Sequence, residues 1–199
     1  MGLAGGVGSG KSTVAKIMSE LGAGVISSDQ LGHLEINSPE VKKIITRWWT
    51  DGVIREDGSV DRQKVASIVF ADPAQRHKLE ALLHPRIAIR RSDMMAEFNR
   101  QPRIKMIVID SPLLYEADLD LICDAVIFID ADRATRIARS ENAYGWPEGE
   151  LARREKSQLA LDMKRARADD ICENNSTLAD LRKHVERVFT KILSAYDAA

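Results

Sequence analysis

Cysteine is scarce: Cys123 and Cys172 are the two in 199 residues, with no Cys-x-x-Cys pair and no cluster of His and Cys. That excludes a disulfide scaffold and a structural zinc site, and it favours a reducing compartment. An excess of either charge is lacking too, since 29 Lys and Arg stand against 30 Asp and Glu for a formal charge of -1. Wholesale binding of polyanions is excluded on that balance, and bulk disorder on 44% hydrophobic and 30% charged residues. No apolar run approaches the roughly 18 residues of a membrane helix. The start has no basic stretch leading into an apolar one, and Gly6 stands where a myristoylation signal needs Ser or Thr. A cytoplasmic protein with neither nucleic-acid nor membrane partner is expected. Internal repeats and low-complexity tracts are absent as well.

What is there is an alternation of short apolar runs with segments of helical period. Strands are expected at Met1 to Ala4, Gly24 to Ser27, Lys105 to Asp110, Asp124 to Ile129 and Asp170 to Glu173. They lack polar alternation, as strands buried on both faces do, and helices separate them, so the fold class is α/β with a parallel sheet. Two connections exceed a plain crossover. From about Gln30 to Arg103 the chain reads as all helical: Ser38-Pro39 starts a helix carrying Val41, Ile44, Ile45, Trp48 and Trp49 on one face. Asp51-Gly52 and Asp57-Gly58 are turns, Asp61 and Asp72 are further caps, and a helix is expected to break at His84-Pro85. The second connection interrupts a helix from Asp132 with Asn142 to Gly149 and continues as one basic helix carrying Arg153, Arg154, Lys156, Lys164, Arg165 and Arg167. A last helix, Leu178 to Tyr196, puts Leu178, Leu181, Val185, Val188 and Ile192 on one stripe, where they should pack on the sheet.

Chemistry is written at Gly5-Gly6-Val7-Gly8-Ser9-Gly10-Lys11-Ser12, which satisfies the phosphate-binding pattern G-x-x-x-x-G-K-[ST] between an apolar run and an amphipathic helix. Glycines let backbone N–H groups close around phosphate oxygens, and the following helix adds its positive end. Gly6, Gly8, Ser9, Gly10, Lys11, Ser12 and Thr13 are therefore candidate nucleotide-binding residues. Lys11 would reach the β and γ phosphates of ATP, and the Ser12 hydroxyl would serve Mg²⁺, an ion that needs few protein ligands beside substrate phosphates.

The loop alone does not choose an activity. There is no Asn-Lys-x-Asp or Thr-Lys-x-Asp guanine reader and no Leu-Ser-Gly-Gly-Gln segment. Asp29, after the second strand, is placed to orient an attacking hydroxyl; its alternative is a helix cap. Asp110 ends the third strand like a carboxylate that holds a magnesium-bound water, or again as a cap. Arg154 and Lys164 are candidates for clamping the transferring phosphoryl, or belong to a solvated basic face. His84 could meet the acceptor or simply start a helix, Trp48-Trp49 reads as core, and both cysteines read as buried and inert.

The ordered set of Gly5 to Thr13, Asp29, Leu83-His84-Pro85, Pro112-Leu113-Leu114-Tyr115-Glu116, Gln158 and Ala168 to Asn174 resembles the dephospho-CoA kinases across nearly the whole chain. The resemblance implies a P-loop fold of the nucleoside-monophosphate-kinase type: a five-stranded parallel sheet flanked by helices, with a helical acceptor-binding insertion and a lid. The core would comprise 1–29, 104–140 and 168–199, the acceptor domain 30–103 and the lid 141–167. It implies transfer of phosphoryl from ATP, with Mg²⁺, to the ribose 3'-hydroxyl of dephospho-CoA, the last step of coenzyme A biosynthesis. Asp29 resembles the catalytic base, Lys11 and Ser12 the phosphate and magnesium residues, Arg139 the nucleotide-contacting arginine before the lid, and the stretch near Asn174 the adenine edge. His84, Asp110, Pro112, Leu113, Glu116 and Lys164 fall on the acceptor side. Three features depart from the family: Ser27 replaces the first carboxylate of its Asp-x-Asp, a second arginine before the lid is replaced near Ala143, and the first strand is short. Two other readings stay open, a nucleoside or nucleotide-monophosphate kinase and a non-catalytic ATP switch. The long helical insertion favours an enclosed acceptor over the switch, and Asp29 favours a hydroxyl over a phosphate acceptor.

Overall fold

A computed structural model describes residues 1–146, 148–156 and 158–197 of the chain. Pro147, within the expected interruption before the basic helix, lies outside the described residues. The chain divides into two compact units, Met1–Ser27 with Phe98–Ala199, and Ser28–Glu97.

The first unit is a parallel sheet of five strands: β1 (Gly2–Gly5), β2 (Ala23–Ser27), β3 (Met106–Asp110), β4 (Val126–Asp130) and β5 (Asp170–Glu173), ordered β2-β3-β1-β4-β5. Neighbouring residues of the central strands are buried on opposite faces, which is why the sequence shows no alternation. Leu3, Val108, Ile127 and Ile129 pack in one cluster with Val14, Ile17 and Met18 of α1 (Lys11–Glu20) and with Val185 and Val188 of the C-terminal helix Leu178–Asp197. Ala4, Ile109, Val126 and Phe128 pack in another with Leu114, Tyr115 and Leu119. Although β1 has four residues, it is held on both sides, with Gly2 opposite Ile109 and Gly2 to Gly5 opposite Val126 to Ile129. The connection from β1 leads to β2 and that from β4 to β5, in opposite directions across the sheet, so a crevice opens at the carboxyl ends of these neighbours.

The second unit contains α2 (Ser28–Ile36), α3 (Pro39–Trp49), α4 (Arg62–Ala71) and all but the last two residues of α5 (Pro73–Asn99). Ser38 Oγ accepts from Val41 N at 3.4 Å and Asp61 Oδ1 from Gln63 N and Lys64 N at 3.1 and 3.2 Å, so both caps form as the sequence predicts. Ile36, Val41, Ile45, Val53, Val60, Val65 and Leu79 make its core, with Trp48 and Trp49 packed against it. Two expectations fail here. The insertion is not all helical, because Ile54 and Val60 form an antiparallel bridge around the turn at Asp57-Gly58. Nor does α5 end before Pro85: it runs through, and the flanking turns on both sides outweigh both the lost helical bond to the Ala81 carbonyl and the crowding of the proline ring against it.

After β4 come α6 (Arg133–Tyr144), α7 (Glu148–Glu155), α8 (Leu161–Arg167) and, beyond β5, α9 (Leu178–Asp197). The single basic helix of the sequence reading is thus two, α7 and α8. The α9 stripe holds at Leu181, Val185 and Val188, whereas Leu178, in the first turn, is 64% exposed.

Candidate active site

The loop from Gly5 to Gly10 joins β1 to α1 over that crevice. Gly8 and Gly10 have φ of 75° and 95°, a region costly for side-chain-bearing residues. A Cβ on Gly8 would lie 2.5 Å from the Arg136 carbonyl oxygen, and one on Gly10 2.3 Å from Asn174 Nδ2. The spacing of glycines therefore reflects close backing by α6 and the end of β5 as well as backbone geometry. Gly10 stands as N-cap of α1 with no side-chain cap among the described residues and no acidic residue in the first turn, so that helix end keeps its positive character. Ser12 and Thr13 are exposed on this turn.

Lys11 Nζ donates to the carbonyls of Gly5 and Gly6, both at 2.9 Å, so the ammonium lies on its own loop. Ser12 Oγ donates to Asp110 Oδ2 at 3.5 Å. That pairs the hydroxyl in the first turn of α1 with the buried carboxylate ending β3, and two hard oxygens converging beside a phosphate loop fit a magnesium ion. Ser27 is opposite Asp110 in the β2–β3 register. A second carboxylate at that position would sit beside the first, and the serine removes that repulsion.

Asn174, 5% exposed just past β5, donates from Nδ2 to Ser9 O at 2.8 Å. Arg139 joins it, with Nη2 to Asn174 Oδ1 at 3.2 Å and Nη1 to Ser9 O at 3.4 Å. The structure thus brings Asn174 and Arg139 together at the back of the loop, although the sequence reading reached them separately.

A second network surrounds Lys164, whose ammonium meets Glu116 Oε1 at 2.8 Å, Gln158 Oε1 at 3.1 Å and the Pro112 carbonyl at 3.3 Å. Lys164 is 1% exposed. Its protons are taken up inside the chain, and its side chain does not belong to a solvated basic face. Glu116 also accepts from Leu159 N at 2.6 Å. Burial pushes its carboxyl up, but the Lys164 ammonium and the Leu159 N–H outweigh burial and leave it below the usual carboxylate range. Pro112 is half-buried, and Leu113 is 44% exposed beside it. Arg154 pairs with Glu150 at 2.9 Å and lies 3.9 Å from the Trp146 ring centre.

Asp29 and His84 belong to the second unit. Asp29 is exposed in the first turn of α2, which begins at Ser28, so it is not the N-cap of that helix. His84 is exposed in the middle of α5 and starts no helix.

Sequence reasoning missed Arg136. It is 5% exposed and donates from Nε to Ala131 O at 3.2 Å and from Nη1 to Val7 O at 3.4 Å, while its guanidinium pairs with Glu155. The signal was its spacing three residues before Arg139, which places both on one face of α6.

The family model for dephospho-CoA kinase matches residues 1–180. A dephospho-CoA kinase of Symbiobacterium thermophilum is 39% identical over 187 residues, covering 94% of this chain and 78% of that one. One of Corynebacterium glutamicum is 35% identical over 196 residues, covering 98% and 97%. A crystal structure of a Thermus thermophilus protein superposes with a TM-score of 0.80 at 29% identity, covering 96% of this chain and 95% of that one. With a phosphate loop, a β3 carboxylate facing its serine and a match of this extent, the chain belongs to the dephospho-CoA kinase family.

Proposed function

We propose the following division of labour for transfer of the ATP γ-phosphoryl to the ribose 3'-hydroxyl of dephospho-CoA. The backbone from Gly6 to Thr13 cradles the phosphates, and Lys11 leaves its carbonyl partners to follow the charge that spreads over the γ-phosphoryl oxygens. Ser12 and, through water, Asp110 would hold Mg²⁺, which would supply charge neutralisation between the phosphates. Asp29 accepts the proton of the 3'-hydroxyl as its oxygen bonds to the γ phosphorus; the bond to the bridging oxygen breaks and ADP leaves. Arg139 and Asn174 serve the nucleotide side. Pro112 and Leu113 offer the acceptor an apolar edge that Lys164 and Glu116 hold in place from beneath, and His84 meets the acceptor from segment 30–103. Segment 141–167 acts as the lid, and the enzyme works in the cytoplasm on small molecules.

The observation that carries this reading is the pairing of Ser12 with Asp110 directly after a loop that folds Lys11 back on itself. Two variants separate the roles. Lys11→Ala should weaken ATP binding, whereas Asp29→Asn should bind ATP like the parent and lose about 100-fold or more in kcat. Normal turnover by Asp29→Asn in a steady-state assay would remove Asp29 as the base.

A further inference from the structure

A trans peptide points its N–H opposite to its carbonyl, so whatever grips the carbonyls of a phosphate loop also aims its N–H groups. In this loop the Ser9 carbonyl is held by Asn174 and Arg139, and the Val7 carbonyl by Arg136 Nη1. The Gly8 N–H shares the Val7 peptide and is turned away from Arg136. The guanidinium also lies close against the loop, since a Cβ on Gly6 would lie 2.8 Å from Nη1 and 3.2 Å from the central carbon.

What keeps the guanidinium there comes from two further segments. Ala131 O, one residue past β4, takes its Nε–H at 3.2 Å, and Glu155, the last residue of α7, pairs with Nη1. The Arg136 side chain is 6% exposed and that of Glu155 19%, so this is a largely buried ion pair. A buried cation that loses its carboxylate does not stay where it is: it turns toward water or another acceptor. The grip on Val7 then goes with it. Because Glu155 sits on α7, its hold depends on that helix being seated, and α7 lies in the segment proposed as the lid.

We propose that Glu155 is a positioning residue for phosphoryl transfer: by pinning Arg136 onto the Val7 carbonyl, it sets the phosphate loop for ATP when α7 is in place. Neither side chain needs to touch the substrate. The inference rests on the reading in which this loop holds ATP, and the Lys11→Ala variant tests that reading separately.

The experiment is steady-state kinetics of the full chain with ATP and dephospho-CoA for the parent, Glu155→Gln, Arg136→Lys and the double variant. Glu155→Gln keeps the size of the side chain and removes its charge, and circular dichroism of each variant checks that it is folded before its kinetics are read. The expected result is a rise of about tenfold in KM for ATP, with KM for dephospho-CoA within about twofold of the parent. The double variant should be little worse than Arg136→Lys alone, because both act through one contact. An unchanged KM for ATP, a parallel rise in both KM values, or independent effects in the double variant would overturn the proposal. A general loosening of the fold produces the last two patterns and not the first. If Lys11→Ala retains parental ATP affinity, the phosphate-loop reading falls; if it loses affinity while Glu155→Gln does not, only the positioning role falls.

Discussion

Lys164 keeps an ammonium at 1% exposure by giving its hydrogen bonds to Glu116, Gln158 and the Pro112 carbonyl. A buried charge so enclosed stabilises little by itself but is costly to orphan. Glu116→Gln should therefore lower stability by about 3 kcal/mol, read as a shift in the urea unfolding midpoint. The pH dependence follows from the lowered carboxyl of Glu116. Its contribution is complete above the unfolded carboxylate value of about 4.3 and is lost as pH falls through the lower folded value. Parent and variant should converge in stability on acidification below that point, and a constant gap down to strong acid would contradict the assignment. The sequence placed Lys164 near the chemistry but left its surroundings open, because a helical basic residue looks the same facing water or facing a glutamate forty-odd positions away. Cys172 was easier: an apolar strand predicts burial, and burial pushes its thiol up to about 11, which leaves it unreactive near neutral pH.

At the scale of elements, legibility followed periodicity. β3 and β4 were readable as short Val- and Ile-bearing runs, and α3 from a capped, amphipathic stretch. The split of the basic segment into α7 and α8 was not, because no glycine or second proline stands between Glu155 and Leu161 to mark it. Pro85 misled in the opposite direction. Proline disfavours helix for the residue before it, but α5 extends from Pro73 to Asn99 and its flanking turns hold His84 helical. Replacing Pro85 by alanine restores the donor that the Ala81 carbonyl lacks. Pro85→Ala is expected to stabilise the chain by about 1 kcal/mol or more, seen as a higher midpoint in thermal unfolding followed by circular dichroism. A lower midpoint would mean that the proline is relieving strain within the helix.

At the scale of the whole molecule, two units carry different parts of the proposed reaction. The phosphate loop, Asp110 and the Arg136–Glu155 pair lie in the first, Asp29 and His84 in the second. The loop and its strand were legible because G-x-x-x-x-G-K-S is local in sequence. Arg136, by contrast, acts across long separations, on Val7 and Glu155, and no local pattern encodes such a partner. The ranking of acceptors rests on Asp29 and on the family to which the chain belongs. It is tested most directly by measuring ADP release with ATP and Mg²⁺ against dephospho-CoA, adenosine, AMP and pantetheine, with the product identified by mass. Turnover confined to dephospho-CoA, which gains one phosphate to become coenzyme A, is the predicted result. Turnover of another acceptor in its place, or ATP binding with no turnover of any, would contradict it.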